Sequence, residues 1–198
     1  MRMIGITGPS GSGKSLLSKY FSDRGIPVID ADELYHSMLV PPSPCLDAIK
    51  DRFGEEVIFP DGTLNRGALS QIVFNSPEKL RLLNSTVLSL VLDRVRLIIS
   101  ELEAKGENTV IIDAPTLIES GFDRECHTVV SVIAPAELRI KRICARDGVS
   151  PEKATERVNA QKKDDFYIEH SSLVLVNASD KESFTAQIEE LARKLGII

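Results

Sequence analysis

The chain has 198 residues, 42% of them hydrophobic and 27% charged, a balance that excludes a disordered, collagenous or coiled-coil chain and favours one domain with insertions over two. With 24 Lys and Arg against 29 Asp and Glu the formal charge is −5, so neither duplex nucleic acid nor an anionic membrane surface is an expected partner. Three cysteines without a Cys-x-x-Cys pair, no apolar run long enough to span a membrane and no secretory pattern make a reducing cytoplasm the expected compartment.

In chain order, residues 3–7 are a short Ile-rich run of the kind a buried parallel strand carries. Gly8-Pro9-Ser10-Gly11-Ser12-Gly13-Lys14-Ser15 follows directly and leads into a helix expected over 14–22. This is the pattern Gly, four residues, Gly-Lys-Ser in the strand-to-helix context it requires. Glycines at 8, 11 and 13 allow the backbone to curl its N–H groups onto phosphate oxygens, and the helix adds its positive end. Lys14 would then reach the β- and γ-phosphates, and the Ser15 hydroxyl would ligate Mg²⁺. The plain alternative is a glycine-rich turn that binds nothing.

A second strand is expected over 26–29, ending at Asp30-Ala31-Asp32. Phosphoryl transfer to an alcohol needs an acceptor for the hydroxyl proton, and Asp32 is the candidate base; its other reading is an N-cap on a helix beginning at Glu33. Residues 32–105 are almost all helix-like, too long for an ordinary crossover, and hold a turn at Phe59-Pro60-Asp61-Gly62-Thr63, so they are expected to form a helical insertion. Its longest helix, near 77–105, places Leu80, Leu83, Val87, Leu88, Val91 and Val95 on a helical period, which core packing explains.

A third strand over 109–112 ends at Asp113, on the carboxyl edge where α/β sheets bind ligands; Asp113 is either a Mg²⁺ ligand or the N-cap of a helix near Pro115. After a strand over 128–133, the helix expected over 135–146 gathers Arg139, Arg142 and Arg146 on one face, with Arg157, Lys162 and Lys163 close behind. That face is either a mobile basic lid answering the charge of the transferred phosphoryl group, or an ordinary solvated surface. Helices over 151–161 and 181–195 flank a last strand over 173–176. His36, His127 and His170 do not form a spaced metal-ligand set.

These blocks resemble the dephospho-CoA kinase family nearly end to end: Gly11-Ser12-Gly13-Lys14-Ser15, Val28-Ile29-Asp30-Ala31-Asp32, Phe53-Gly54-Glu55-Glu56 with Pro60-Asp61-Gly62-Thr63-Leu64, Asp113-Ala114-Pro115 through Glu119, and Arg142 with Arg146-Asp147-Gly148-Val149-Ser150 leading to Arg157 and Gln161. The resemblance implies an α/β fold, a P-loop NTPase-type core of about five parallel strands, with the core in 1–31, 106–137 and 171–198, a helical coenzyme-binding insertion in 32–105 and a lid in 138–170. It implies transfer of the ATP γ-phosphoryl, with Mg²⁺, to the ribose 3′-hydroxyl of dephospho-CoA. Asp32, Lys14 and Arg142 would be catalytic; Gly8, Gly11, Ser12, Gly13, Lys14, Ser15, Leu16, Arg142, Arg146 and Asn177 would bind nucleotide. Asp32, His36, Asp113, Leu117, Glu119 and Arg157 would line the acceptor side, and Ser15 and Asp113 would hold the metal. The chain carries His36 at a usual Arg, Lys162-Lys163-Asp164 at a usual Met-Pro-Arg, Tyr167 at a usual Lys, and Val176-Asn177-Ala178-Ser179 at a usual Asp-Asn-Ser-Gly. Two further readings stand beside it: another P-loop small-molecule kinase of the nucleoside monophosphate kinase kind, or a nucleotide-dependent switch that transfers nothing. No oligomeric state follows from the sequence.

Overall fold

A strand buried on both faces can be apolar throughout, and each of the Ile- and Val-rich runs becomes a strand, with the central ones the most buried. The computed structural model describes residues 1–197 and holds β1 (Arg2–Thr7), β2 (Val28–Asp30), β3 (Thr109–Asp113), β4 (Thr128–Ile133) and β5 (Leu173–Val176). They form an all-parallel sheet in the order β2-β3-β1-β4-β5, the five-stranded core that the sequence leads one to expect. Ile6 pairs with Asp113 on one side and Val130 on the other, so the end of β3 and the exit of β1 share one carboxyl edge. β2 starts two residues later than the apolar run suggests: Pro27 has no N–H for the ladder, although its carbonyl accepts from the Ile111 N–H at 2.9 Å.

The helices are α1 (Lys14–Ser22), α2 (Ala31–Ser37), α3 (Pro44–Phe53), α4 (Arg66–Phe74), α5 (Pro77–Ala104), α6 (Ala136–Asp147), α7 (Pro151–Asn159), α8 (Asp164–Glu169) and α9 (Lys181–Lys194). Strand alternation decides which pack where. Ile4, Ile6, Val130, Val132 and Leu175 meet Leu17 and Phe21 of α1 and Phe184 and Ile188 of α9. Ile133 and Val174 point the other way, into a smaller cluster with Ile118 and with Phe166 and Tyr167 of α8. Fully burying each such Phe or Ile contributes about 1.5–3 kcal/mol. α6 and α7 pair through Ile143, Ala154 and Val158.

The chain divides into two compact units, one of Met1–Ile29 with everything described from Gly106 onward, the other of Asp30–Lys105. Of the segments expected above, 171–198 has its last residue, Ile198, outside the described residues. The second unit has its own core, Leu46, Ile49, Phe53, Val57, Leu69 and Val73, against which Leu80, Leu83 and Val87 of α5 pack. The turn at 59–63 closes through the Gly62 N–H donating to the Phe59 carbonyl and the Phe59 N–H to the Thr63 carbonyl, both 2.8 Å.

Candidate active site

The loop joining β1 to α1 needs glycine at three points, 8, 11 and 13, all at positive φ. Gly8 has φ +138°, and a Cβ there would run into the Val132 carbonyl oxygen. Gly13 has φ +105°, and a Cβ there would strike the Asn177 side-chain amide. Gly13 is also the N-cap of α1, with no side-chain cap hydrogen bond, so no side-chain oxygen competes with an anion at the start of the helix. Lys14 Nζ donates to the Gly8 carbonyl at 2.7 Å and reaches the Pro9 carbonyl at 3.4 Å, folding its charge over the loop. Ser15 is exposed and Leu16 packs on the sheet core, while the buried Ser12 hydroxyl has no hydrogen-bond partner among the described residues.

N–H groups turned inward leave carbonyls turned outward, and these have partners from far along the chain. Arg142 Nη1 donates to the Gly11 and Ser12 carbonyls at 3.2 and 3.4 Å, and Nη2 to Asn177 Oδ1 at 3.0 Å. Buried Asn177 donates Nδ2 to the Ser12 carbonyl at 2.7 Å. Arg146 is exposed, reaches Ser10 Oγ at 3.3 Å and pairs with Asp147, whose carboxyl its hydrogen bond holds below the usual carboxylate range. Arg157 binds the same carboxylate at 2.8 Å. Arg139 is 4% exposed; its Nε donates to the Ser10 carbonyl at 3.0 Å and Nη2 to Gln161 Oε1.

Asp113 is buried at the end of β3 and accepts from Ser18 Oγ at 2.5 Å. Its expected alternative as an N-cap does not hold, because no α-helix begins between β3 and β4 among the described residues. Ser18 was missed from sequence; its signal is spacing, one helical turn beyond Lys14 and so on the same face of α1. Leu117 is fully buried and Glu119 exposed. Tyr167 is buried, and that burial, with Glu119 nearby, pushes its hydroxyl up to about 12. No three His, Cys, Asp or Glu side chains gather as a metal cage among the described residues. The donors present, a hydroxyl on α1 and a carboxylate at the strand edge, suit Mg²⁺, which takes one or two protein oxygens and completes its shell with phosphate and water.

In the second unit, Asp30 caps α2: its Oδ1 accepts from the Asp32 and Glu33 N–H groups, both at 2.9 Å. This corrects the alternative reading of Asp32 as the cap. Asp32 lies exposed in the first turn of α2 and His36 in its last, tilted against Tyr35.

Residues 2–182 match the profile of a family described as dephospho-CoA kinase. A dephospho-CoA kinase of Symbiobacterium thermophilum is 36% identical over 189 residues, 96% of this chain and 79% of its own length. One of Dehalococcoides mccartyi is 34% identical over 98% of both chains. The crystal structure of a Thermus thermophilus protein superposes with a TM-score of 0.78 at 31% identity, covering 98% of this chain and 97% of that one.

Proposed function

The chain belongs to the dephospho-CoA kinase family, and we propose on that footing that it transfers the γ-phosphoryl of ATP to the ribose 3′-hydroxyl of dephospho-CoA, giving coenzyme A and ADP in the last step of coenzyme A synthesis. The carrying observation is the uncapped, glycine-built start of α1 in a chain matching that family over 2–182. Such a loop takes phosphate by backbone N–H groups, and Lys14 supplies charge for the β- and γ-phosphates. Mg²⁺, held by Ser15 and Asp113, would add neutralisation between those phosphates. Ser18 keeps the Asp113 carboxylate in one orientation.

Asp32 is the base in this reading: it stands two residues past the end of β2 and takes the ribose hydroxyl proton as the oxygen attacks. Residues 32–105 bind the acceptor, with His36 on the same helix as Asp32, and 138–170 form the lid whose Arg142 holds the loop. The arginine–carbonyl contacts support a role for Arg142 in shaping the loop as well as in meeting phosphate charge. Three free cysteines suit a cytoplasmic enzyme. A coupled ADP-release assay tests the assignment: turnover is expected with dephospho-CoA and not with nucleoside monophosphates or shikimate, and Lys14→Ala is expected to lose it by more than about 10³-fold. Absence of turnover at saturating ATP and Mg²⁺ would make the acceptor wrong.

A further inference from the structure

Three arginines share one face of α6, yet their surroundings differ. Arg146 is exposed and neutralised by Asp147. Arg142 is half-buried and spends its donors on loop carbonyls and Asn177. Arg139 is almost wholly buried, and its partners are two neutral oxygens, the Ser10 carbonyl and Gln161 Oε1; no carboxylate lies within ion-pairing distance of it among the described residues. The carboxylate whose charge acts on it is Asp164 at the start of α8, with the Tyr167 hydroxyl a smaller influence. Burial of the guanidinium already pulls its protonation downward from the ordinary Arg value.

A buried cation without a counter-charge is costly, and the cost falls when an anion arrives. Arg139 is pressed against the phosphate loop itself: a Cβ on Gly11 would lie 3.2 Å from Arg139 Cβ, and the guanidinium holds Ser10 at the loop's apex. Resting on the reading of this loop as an ATP site, we propose that Arg139 is the residue that sets preference for a nucleoside triphosphate over a diphosphate, its unneutralised charge favouring the ligand with one more phosphate. Charge, more than the hydrogen bond to Ser10, carries the effect, since Coulomb attraction in a partly desolvated site persists over several ångströms. The sequence alone does not separate Arg139 from its two neighbours on the helix face.

Calorimetric affinities for ATP and for ADP, with Mg²⁺, on the wild type and on Arg139→Gln, Arg139→Lys and Asp164→Asn test this, with thermal unfolding alongside. Arg139→Gln is expected to lose about tenfold more affinity for ATP than for ADP, and Arg139→Lys to keep the wild-type ratio within about threefold. Asp164→Asn, which removes the opposing charge without touching the loop, is expected to raise the ATP-to-ADP ratio about two- to threefold, and serves if Arg139→Gln does not fold. Equal losses for both nucleotides in Arg139→Gln, a ratio in Arg139→Lys as low as in Arg139→Gln, or no rise in Asp164→Asn overturns the role of Arg139 and leaves the kinase assignment standing. A wild type that takes up no ATP overturns the nucleotide reading, and this inference with it.

Discussion

The unit built on the sheet and the unit of Asp30–Lys105 start their helices differently. In the second unit every α-helix opens on a side-chain cap: Asp30 for α2, Ser43 for α3, Asn65 for α4 and Ser76 for α5. In the sheet unit α1, α6 and α8 open without one. The uncapped start of α1 is the one that follows the glycine loop, where a side-chain oxygen would compete with a phosphate oxygen for the same N–H groups. A cap stabilises its helix by about 1 kcal/mol; at α1 that contribution is forgone. Local stability signals therefore concentrate in the inserted unit, and the sheet unit holds its loop by long-range hydrogen bonds from Arg139, Arg142 and Asn177 instead.

The sharpest challenge to this division is Asp32, which places chemistry on a well-capped helix. Asp32→Asn is expected to lower kcat by about 10²–10⁴-fold with little change in the KM for ATP; an effect confined to KM would return the second unit to acceptor binding alone. A smaller effect follows from giving α1 the cap it lacks. Gly13→Ser puts a Cβ at φ +105° against Asn177, and the strain, about 1–3 kcal/mol, should weaken ATP binding by roughly tenfold or more in titration calorimetry. Unchanged affinity would show that the bare helix start is not what receives the phosphates. Smallest is Ser76→Ala, which removes the acceptor of the Lys79 N–H. Denaturant unfolding should show a loss of about 1 kcal/mol while kcat stays at the wild-type value; a fall in kcat would tie the cap of α5 to catalysis.

Helices with a long apolar period were legible at once: α5 is seen over Pro77–Ala104 against 77–105 expected. α8 escaped because its six residues, Asp164–Glu169, span under two turns and show no period. At Asp30-Ala31-Asp32 the pattern offered Asp32 as a base or as a cap; the structure gives the cap to Asp30, whose φ of −85° and ψ of 112° aim Oδ1 at the next N–H groups. Asp113 was legible as a strand-edge carboxylate, whereas the spacing that puts Ser18 on the face of Lys14 does not say that its hydroxyl meets a carboxylate 95 residues later.

The phosphate loop, the α/β alternation and the family were written into the sequence itself, because a glycine pattern and a run of Ile and Val act on their own neighbours through backbone sterics and burial. The strand order β2-β3-β1-β4-β5 was decided only in the folded chain, as was the separation of Arg139, Arg142 and Arg146 into a buried, a half-buried and an exposed cation. A helical period says which residues share a face. What that face meets depends on segments more than a hundred residues away, and burial and charge pairing are set there.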